Sequence, residues 1–251
     1  MEGTGPERYA VVSCHVERLL DDEVWARYRR LLARRPGGFP VASLLRPPDP
    51  AFGEDEQRWL ERAREAARLG PLGHHAHWTA PDHARPTAGD PVERVRSEGA
   101  WLHERGLQPS LFCGGGWYTD REVAEACAAL GYVDCTPRAE RPAYLDDGAP
   151  WAQLDAPRTL ALPSGMQLAT LPTTHSIGSL ARALATAAGP EGLVHVYFHD
   201  TDLLDRRRRL ALEAVLRLLR LRRAPADGVT LARATTAAPL EWESVVRPER
   251  P

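Results

Sequence analysis

The feature that most constrains the fold of this chain is a repeated switch in hydrophobic period. Short β-branched or apolar runs alternate with stretches whose apolar residues recur at helical spacing. Residues 9–14 (YAVVSC) predict a strand, and 21–35 a helix with Val24, Tyr28, Leu31 and Leu32 on one face. Residues 39–45 predict a second strand, ended by Arg46-Pro47-Pro48; 54–69 read as a charged amphipathic helix and 70–77 as a short strand. Asp90 followed by Pro91 is an N-cap with proline at the first helical position, and Gly106 closes that helix. Residues 109–113 predict a strand, Thr119 to Glu122 has the spacing of a capping box for a helix to Leu130, and 131–135 predict another strand. Residues 136–165, rich in Pro, Asp and Gly, break the rhythm and are expected to form a long excursion. Beyond it come a strand at 166–171, a helix at 176–188, a strongly apolar strand at 193–199, a helix at 205–223 and a last strand at 229–232. Seven or eight strand–helix units imply an α/β fold with a parallel sheet, either a closed barrel or a doubly wound sheet. The expected organisation is a tail at 1–8, one domain at 9–233 and a C-terminal tail at 234–251.

Composition narrows the chemistry. All 32 basic residues among the 251 are Arg, and the chain has neither Lys nor Asn. Schiff-base chemistry, a phosphate-binding P-loop lysine and a kinase lysine are excluded, because each needs an amine on a flexible stem. A Cys-His-Asn triad is excluded too. A formal charge of −2 and a pI near 6.5 give no footprint for nucleic acid. The polar start of the chain and its short apolar runs predict no signal peptide and no membrane span, and hence a cytoplasmic protein. Cys14, Cys113, Cys127 and Cys135 form no CxxC pair and are expected to be free thiols. Residues 206–223 (RRRRLALEAVLRLLRLRR) form a basic amphipathic stretch, read as an outer barrel helix with a solvated arginine face, or else as a dock for an anionic membrane or a partner.

Histidine is placed selectively. Five of the nine (His15, His74, His75, His77 and His199) fall at the C-terminal ends of predicted strands, where a parallel barrel gathers its active-site groups. His75 and His77 are two apart, so both imidazoles can face one side of an extended segment and bind one metal. His15 and Glu17 share that spacing and can add a third or fourth ligand. Two or three imidazoles plus a carboxylate suit a divalent ion, zinc first, although any single histidine of the set can equally be a hydrogen-bonded core or loop residue. His199 and Asp200 follow the most apolar strand; a histidine positioned by a carboxylate can protonate a leaving group, whereas Asp202 or Asp205 serves better as a helix cap. Gly114-Gly115-Gly116 lets backbone approach a ligand closely, with Trp117 and Tyr118 as stacking walls or as core.

The order of these motifs resembles the polysaccharide deacetylases of the NodB-homology type, carbohydrate esterase family four. Those proteins have a first strand ending T-F-D-D-G-P, a histidine motif near G-H-E-I-G-x-H-x-x-x-H, a strand ending F-R-P-P-x-G before a helix and a G-Y strand, and a late strand ending in a catalytic histidine. The matching stretches are 12–17, 70–79, 111–132 and 194–200, so the likeness spans roughly residues 9–233. The family's first aspartate falls on His15, which takes the place of the base, and its second on Val16, with Glu17 one position later. Its first metal histidine falls on His75 and its second on Thr79, leaving His77 or His83 to replace it. Its arginine falls on Cys113 and its catalytic histidine on His199.

The resemblance implies a distorted seven- or eight-stranded TIM-like (β/α) barrel. It further implies a metal-dependent hydrolase that removes an acyl group from an N-acylated sugar or similar small substrate. In that scheme Glu17, His75 and His77 hold the metal, and His199, Asp200 and His15 handle protons. Trp78, Cys113, Gly115, Trp117 and Tyr118 line the substrate. Two alternatives stay open: a barrel that binds a glycan or metabolite without turnover, and a metal-dependent isomerase or lyase.

Overall fold

The computed structural model describes residues 8–145, 148–186 and 188–246. In chain order its elements are β1 (Tyr9–Val16), α1 (Asp22–Arg34), β2 (Val41–Leu45), α2 (Glu56–Leu69), β3 (Leu72–Ala76), α3 (Pro91–Glu104), β4 (Leu111–Gly114), α4 (Arg121–Ala129) and β5 (Val133–Asp134). They continue with β6 (Arg158–Ala161), β7 (Gln167–Thr170), β8 (His175–Ser176), α5 (Ile177–Ala185), β9 (Val194–His199), α6 (Arg206–Arg220), β10 (Ala224–Pro225), α7 (Gly228–Arg233), β11 (Leu240–Glu241) and α8 (Trp242–Val245). The chain divides into two compact units, one built from residues up to 72 together with 174–227, the other from 73–173 together with 228 onwards. Both are mixed α/β structures with largely parallel strands.

In the first unit β1 is central. It pairs in parallel with β9 and β2, β9 pairs with β8, and the short β10 lies along the start of β1. Seven of the eight residues of β1 are buried, as expected of an interior parallel strand covered on both faces. The flanking helices begin on aspartate caps. Asp21 accepts the amides of Glu23 and Val24 at the start of α1, Asp55 that of Arg58 at α2, and Asp205 that of Arg208 at α6. α1 turns Val24, Tyr28, Leu31 and Leu32 inward, the face read from the sequence. Beyond β2, Arg46 is buried in a two-pronged pair with Glu54 (2.5 and 2.8 Å) and also reaches the Glu17 carbonyl.

In the second unit β3, β4, β5 and β7 run parallel, β6 is antiparallel to β7, and β11 pairs in parallel with β6. Phe112, Val123, Cys127, Tyr132, Leu160, Leu168 and Trp242 form its core. Asp90 caps α3, with Pro91 next, and Gly106 (φ 74°) follows its end. At α4 the cap lies one residue later than the sequence spacing indicated: Asp120 accepts the Val123 amide, while the Thr119 hydroxyl donates to the Tyr118 carbonyl.

Neither unit's sheet closes on itself into the barrel that the sequence pattern led us to expect. In the second unit the reason is local. The end of the expected excursion forms β6, which turns back through residues 162–166 into β7, so a hairpin stands where a strand–helix repeat would have continued the parallel order. Two other expectations are corrected. Residues 229–232 are helical in α7, burying Gly228 and Ala232 one turn apart, although Val-Thr-Leu reads as a strand. Residues 240–245, expected as tail, form β11 and α8 and bury Trp242 and Val245; residues 1–7 and 247–251 of the expected tails lie outside the described residues.

Candidate functional site

At the end of β3, strand alternation sends successive histidines to opposite faces. His74 points into the core of the second unit, against the Phe112 and Tyr132 rings. Its Nε2 lies 2.7 Å from Glu98 Oε2, and Arg94 holds the other oxygen of that carboxylate. It is a paired core histidine. His75 and His77 face the other way, with ring centroids 5.0 Å apart and planes at 79°. The His75 Nδ1 donates to the Cys113 carbonyl and the His77 Nδ1 to the Pro81 carbonyl, both at 2.8 Å. A carbonyl only accepts, so each Nδ1 carries the proton and each Nε2 keeps a lone pair. A backbone carbonyl held at Nδ1 fixes the ring's tautomer and orientation as a metal ligand needs, and one ligating atom of each ring lies within 4.8 Å of the other's. The pair therefore fits two positions around a divalent ion.

The remaining candidates of this unit hold other posts. Thr79 donates to the Arg85 carbonyl, and exposed His83 contacts the Thr87 hydroxyl, so both belong to the turn after β3. The Cys113 Sγ also lies within ligand distance of His75, and in the metal-free chain burial pushes this thiol well up. Trp78 is a core residue whose indole donates to the Gly115 carbonyl. Trp117 is nearly buried beneath the Arg138 guanidinium, 4.3 Å from its ring centre, and the Tyr118 hydroxyl donates to Asp120. The glycines serve the chain's own packing: a Cβ at Gly114 would stand 2.1 Å from the Tyr118 carbonyl oxygen, and one at Gly115 would stand 2.5 Å from those of Ala76 and Ala84.

In the first unit β1 and β9 set His15 directly beside His199. The two rings meet edge to face at 5.2 Å, and His15 stacks on Tyr197 at 5.3 Å. His199 Nε2 lies 3.6 Å from Glu17 Oε1. The carboxylate facing His199 is thus that of Glu17. Asp200 turns away and accepts the Arg18 amide at 2.9 Å, and burial lifts its pKa to about 6. Asp202 accepts the His199 amide, a capping role the sequence allowed. Beside His199 opens a cavity of about 410 Å³, lined among others by Ser176, Ile177, Tyr197, Asp202, Arg208 and Leu212.

Three buried polar features escaped the sequence reading. Ser13 and His195 form a 2.9 Å hydrogen bond between β1 and β9, visible in hindsight as polar letters inside apolar runs. The Arg46–Glu54 pair follows no recognised spacing. Asp134, fully buried at the end of β5, accepts the Thr136 amide through one oxygen, and burial raises its pKa to about 6.

No protein-family profile matches the chain, and no curated protein sequence does. Solved structures do. The 4-α-glucanotransferase of Thermococcus litoralis is 9% identical, with 92% of this chain and 39% of that one covered at a TM-score of 0.55. A mutant of a CE4-family pseudoenzyme of Bacillus anthracis, with restored enzymatic activity, is 9% identical over 90% of this chain and 68% of that one (TM-score 0.54). The family 4 carbohydrate esterase of Streptomyces lividans, in complex with acetate, is 10% identical over 92% and 97% (TM-score 0.51). The chain spans well under half of the glucanotransferase and nearly all of the esterase. At such identities the likeness is one of fold: this chain is a mixed α/β protein with a parallel sheet that resembles the CE4 carbohydrate esterases, pseudoenzymes among them.

Proposed function

We propose that the chain is a metal-dependent hydrolase of carbon–nitrogen amide bonds that removes an acyl group from an N-acylated sugar or a similar small substrate. The observation that carries this reading is the His75–His77 pair, each ring tied at Nδ1 to a backbone carbonyl and left basic at Nε2. The likeness in fold to a carbohydrate esterase supports the substrate class. The ion, for which zinc is the first choice given two neutral imidazoles, would polarise the acyl carbonyl and acidify the attacking water. His75 and His77 hold their tautomers and present two ligand positions, and Glu17 is the expected carboxylate ligand. His199 delivers a proton to the leaving nitrogen, with Glu17 orienting its ring, and His15 stands in the base position that the family motif assigns it. Asp200 acts one step back, holding the backbone at Arg18 just beyond Glu17.

A second reading, binding without turnover, draws on Trp78 and Trp117. Both are packed into the core, and Gly115 is closed against backbone. One series of measurements separates the two. Protein purified without added metal is expected to carry or take up one equivalent of zinc, and His75→Ala or His77→Ala to lose it; a wild type that binds none refutes the hydrolase. Glu17→Gln tests the third ligand by the same metal content. Acetate release from a panel of N-acetylated sugars, absent in His199→Ala, then distinguishes turnover from binding alone.

A further inference from the structure

The face of α6 opposite its core contacts is not the plain arginine surface expected of an outer helix. The helix buries Leu212, Val215, Leu216 and Leu219. On the reverse side Leu210, Ala214 and Leu218 follow one another at four-residue steps, and Leu221 continues the line three residues on. The three leucines are 55%, 52% and 80% exposed, all three among the four largest exposures of big apolar side chains in the described residues. Exposed Arg206, Arg207, Arg217, Arg220 and Arg222 border this stripe. The only acidic residue between 206 and 222 is Glu213, buried and paired with Arg34 and Arg217. The adjoining α5 contributes Arg182 and no acid. Arginines in the first turn of α6 also oppose the helix dipole, which favours anions there, so local stability does not account for them.

We infer that this face docks on an anionic lipid surface. The leucine stripe sinks into the boundary between headgroups and acyl chains, while the arginine stems lie along it and their guanidinium groups reach the phosphates. Binding lies flat, and no helix of the described residues is long and apolar enough to cross a membrane. A second copy of the chain fits the stripe poorly. An antiparallel pair centred on Ala214 would set Leu210 over Leu218 but Arg206 over Arg222, and a parallel pair would set each arginine over itself. A nucleic acid would use the arginines and leave the leucines in water.

The test is sedimentation of the full chain with vesicles of phosphatidylcholine alone or mixed with phosphatidylglycerol. The expected result is binding to the mixed vesicles only, weakening as salt is raised. Leu218→Glu with Leu221→Glu should lower that affinity by about tenfold or more, with an unchanged circular dichroism melt, because both side chains are exposed. Arg206→Gln with Arg220→Gln and Arg222→Gln should lower it and flatten the salt dependence. The inference is overturned if the wild type ignores the anionic vesicles at low salt, or if the leucine variants bind as well as the wild type. It is equally overturned if sedimentation equilibrium finds a dimer that the leucine substitutions dissolve.

Discussion

Asp134 offers a sharp test, because burial is the largest influence on its ionisation and outweighs the hydrogen bonds from Thr136 that favour the charged form. The side chain is fully buried, one oxygen accepts the Thr136 amide at 2.8 Å, and the other finds no hydrogen-bond partner among the described residues. Its pKa rises from 3.8 to about 6. Between those values the folded chain holds a proton that the unfolded chain has released, so stability falls as pH rises through this window. The full effect is about 3 kcal/mol, from roughly two pKa units at 1.36 kcal/mol each. Asp134→Asn keeps the acceptor oxygen and removes the titration. Whatever fixed cost the amide brings, the difference in stability between variant and wild type should move by about 2 kcal/mol in the variant's favour between about pH 4.5 and pH 8. Urea denaturation of both proteins across that range measures it. A difference that stays constant with pH refutes the assignment and implies that water or a neighbouring cation solvates the carboxylate.

Arg46→Ala should cost about 3–5 kcal/mol in the same assay, because it leaves the mostly buried Glu54 carboxylate without its two-pronged partner; a cost near that of an exposed ion pair would mean that Glu54 escapes to solvent. Gly115→Ala should destabilise by about 1–3 kcal/mol, since the new methyl would press on two backbone oxygens that cannot rotate away; a neutral outcome would show that the turn after β3 yields freely.

The parts of the fold legible in the sequence are those where one signal dominates. The apolar runs of β1 and β9 end abruptly in histidine, and aspartate caps mark most helix starts, so the strand ends that carry His15, His75, His77 and His199 could be placed by number alone. Face and pairing were less accessible. His74 and His75 are identical letters, and only the side on which Phe112 and Tyr132 pack makes one a core residue and the other a ligand candidate. Asp200 stands next to His199 in sequence, yet Glu17 faces its ring, because the adjacent register of β1 and β9 brings distant residues closer than neighbours. α7 is too short to display a helical period, so its β-branched letters prevailed. β6 lies in a proline-rich segment with little apolar pattern, and its direction follows from a turn whose partner strand comes later.

The placement of β1 also bears on how the chain is made. Its central position is completed by β9, and the Ser13–His195 hydrogen bond joins residues 182 apart. At about 5–20 residues per second, a ribosome needs roughly 10–40 seconds between delivering one partner and the other. Throughout that interval β1, mostly apolar, has β2 available on one edge and no partner yet on the other. The nascent chain is therefore a natural client for chaperones that shield extended apolar segments, and β1 is where they would hold it.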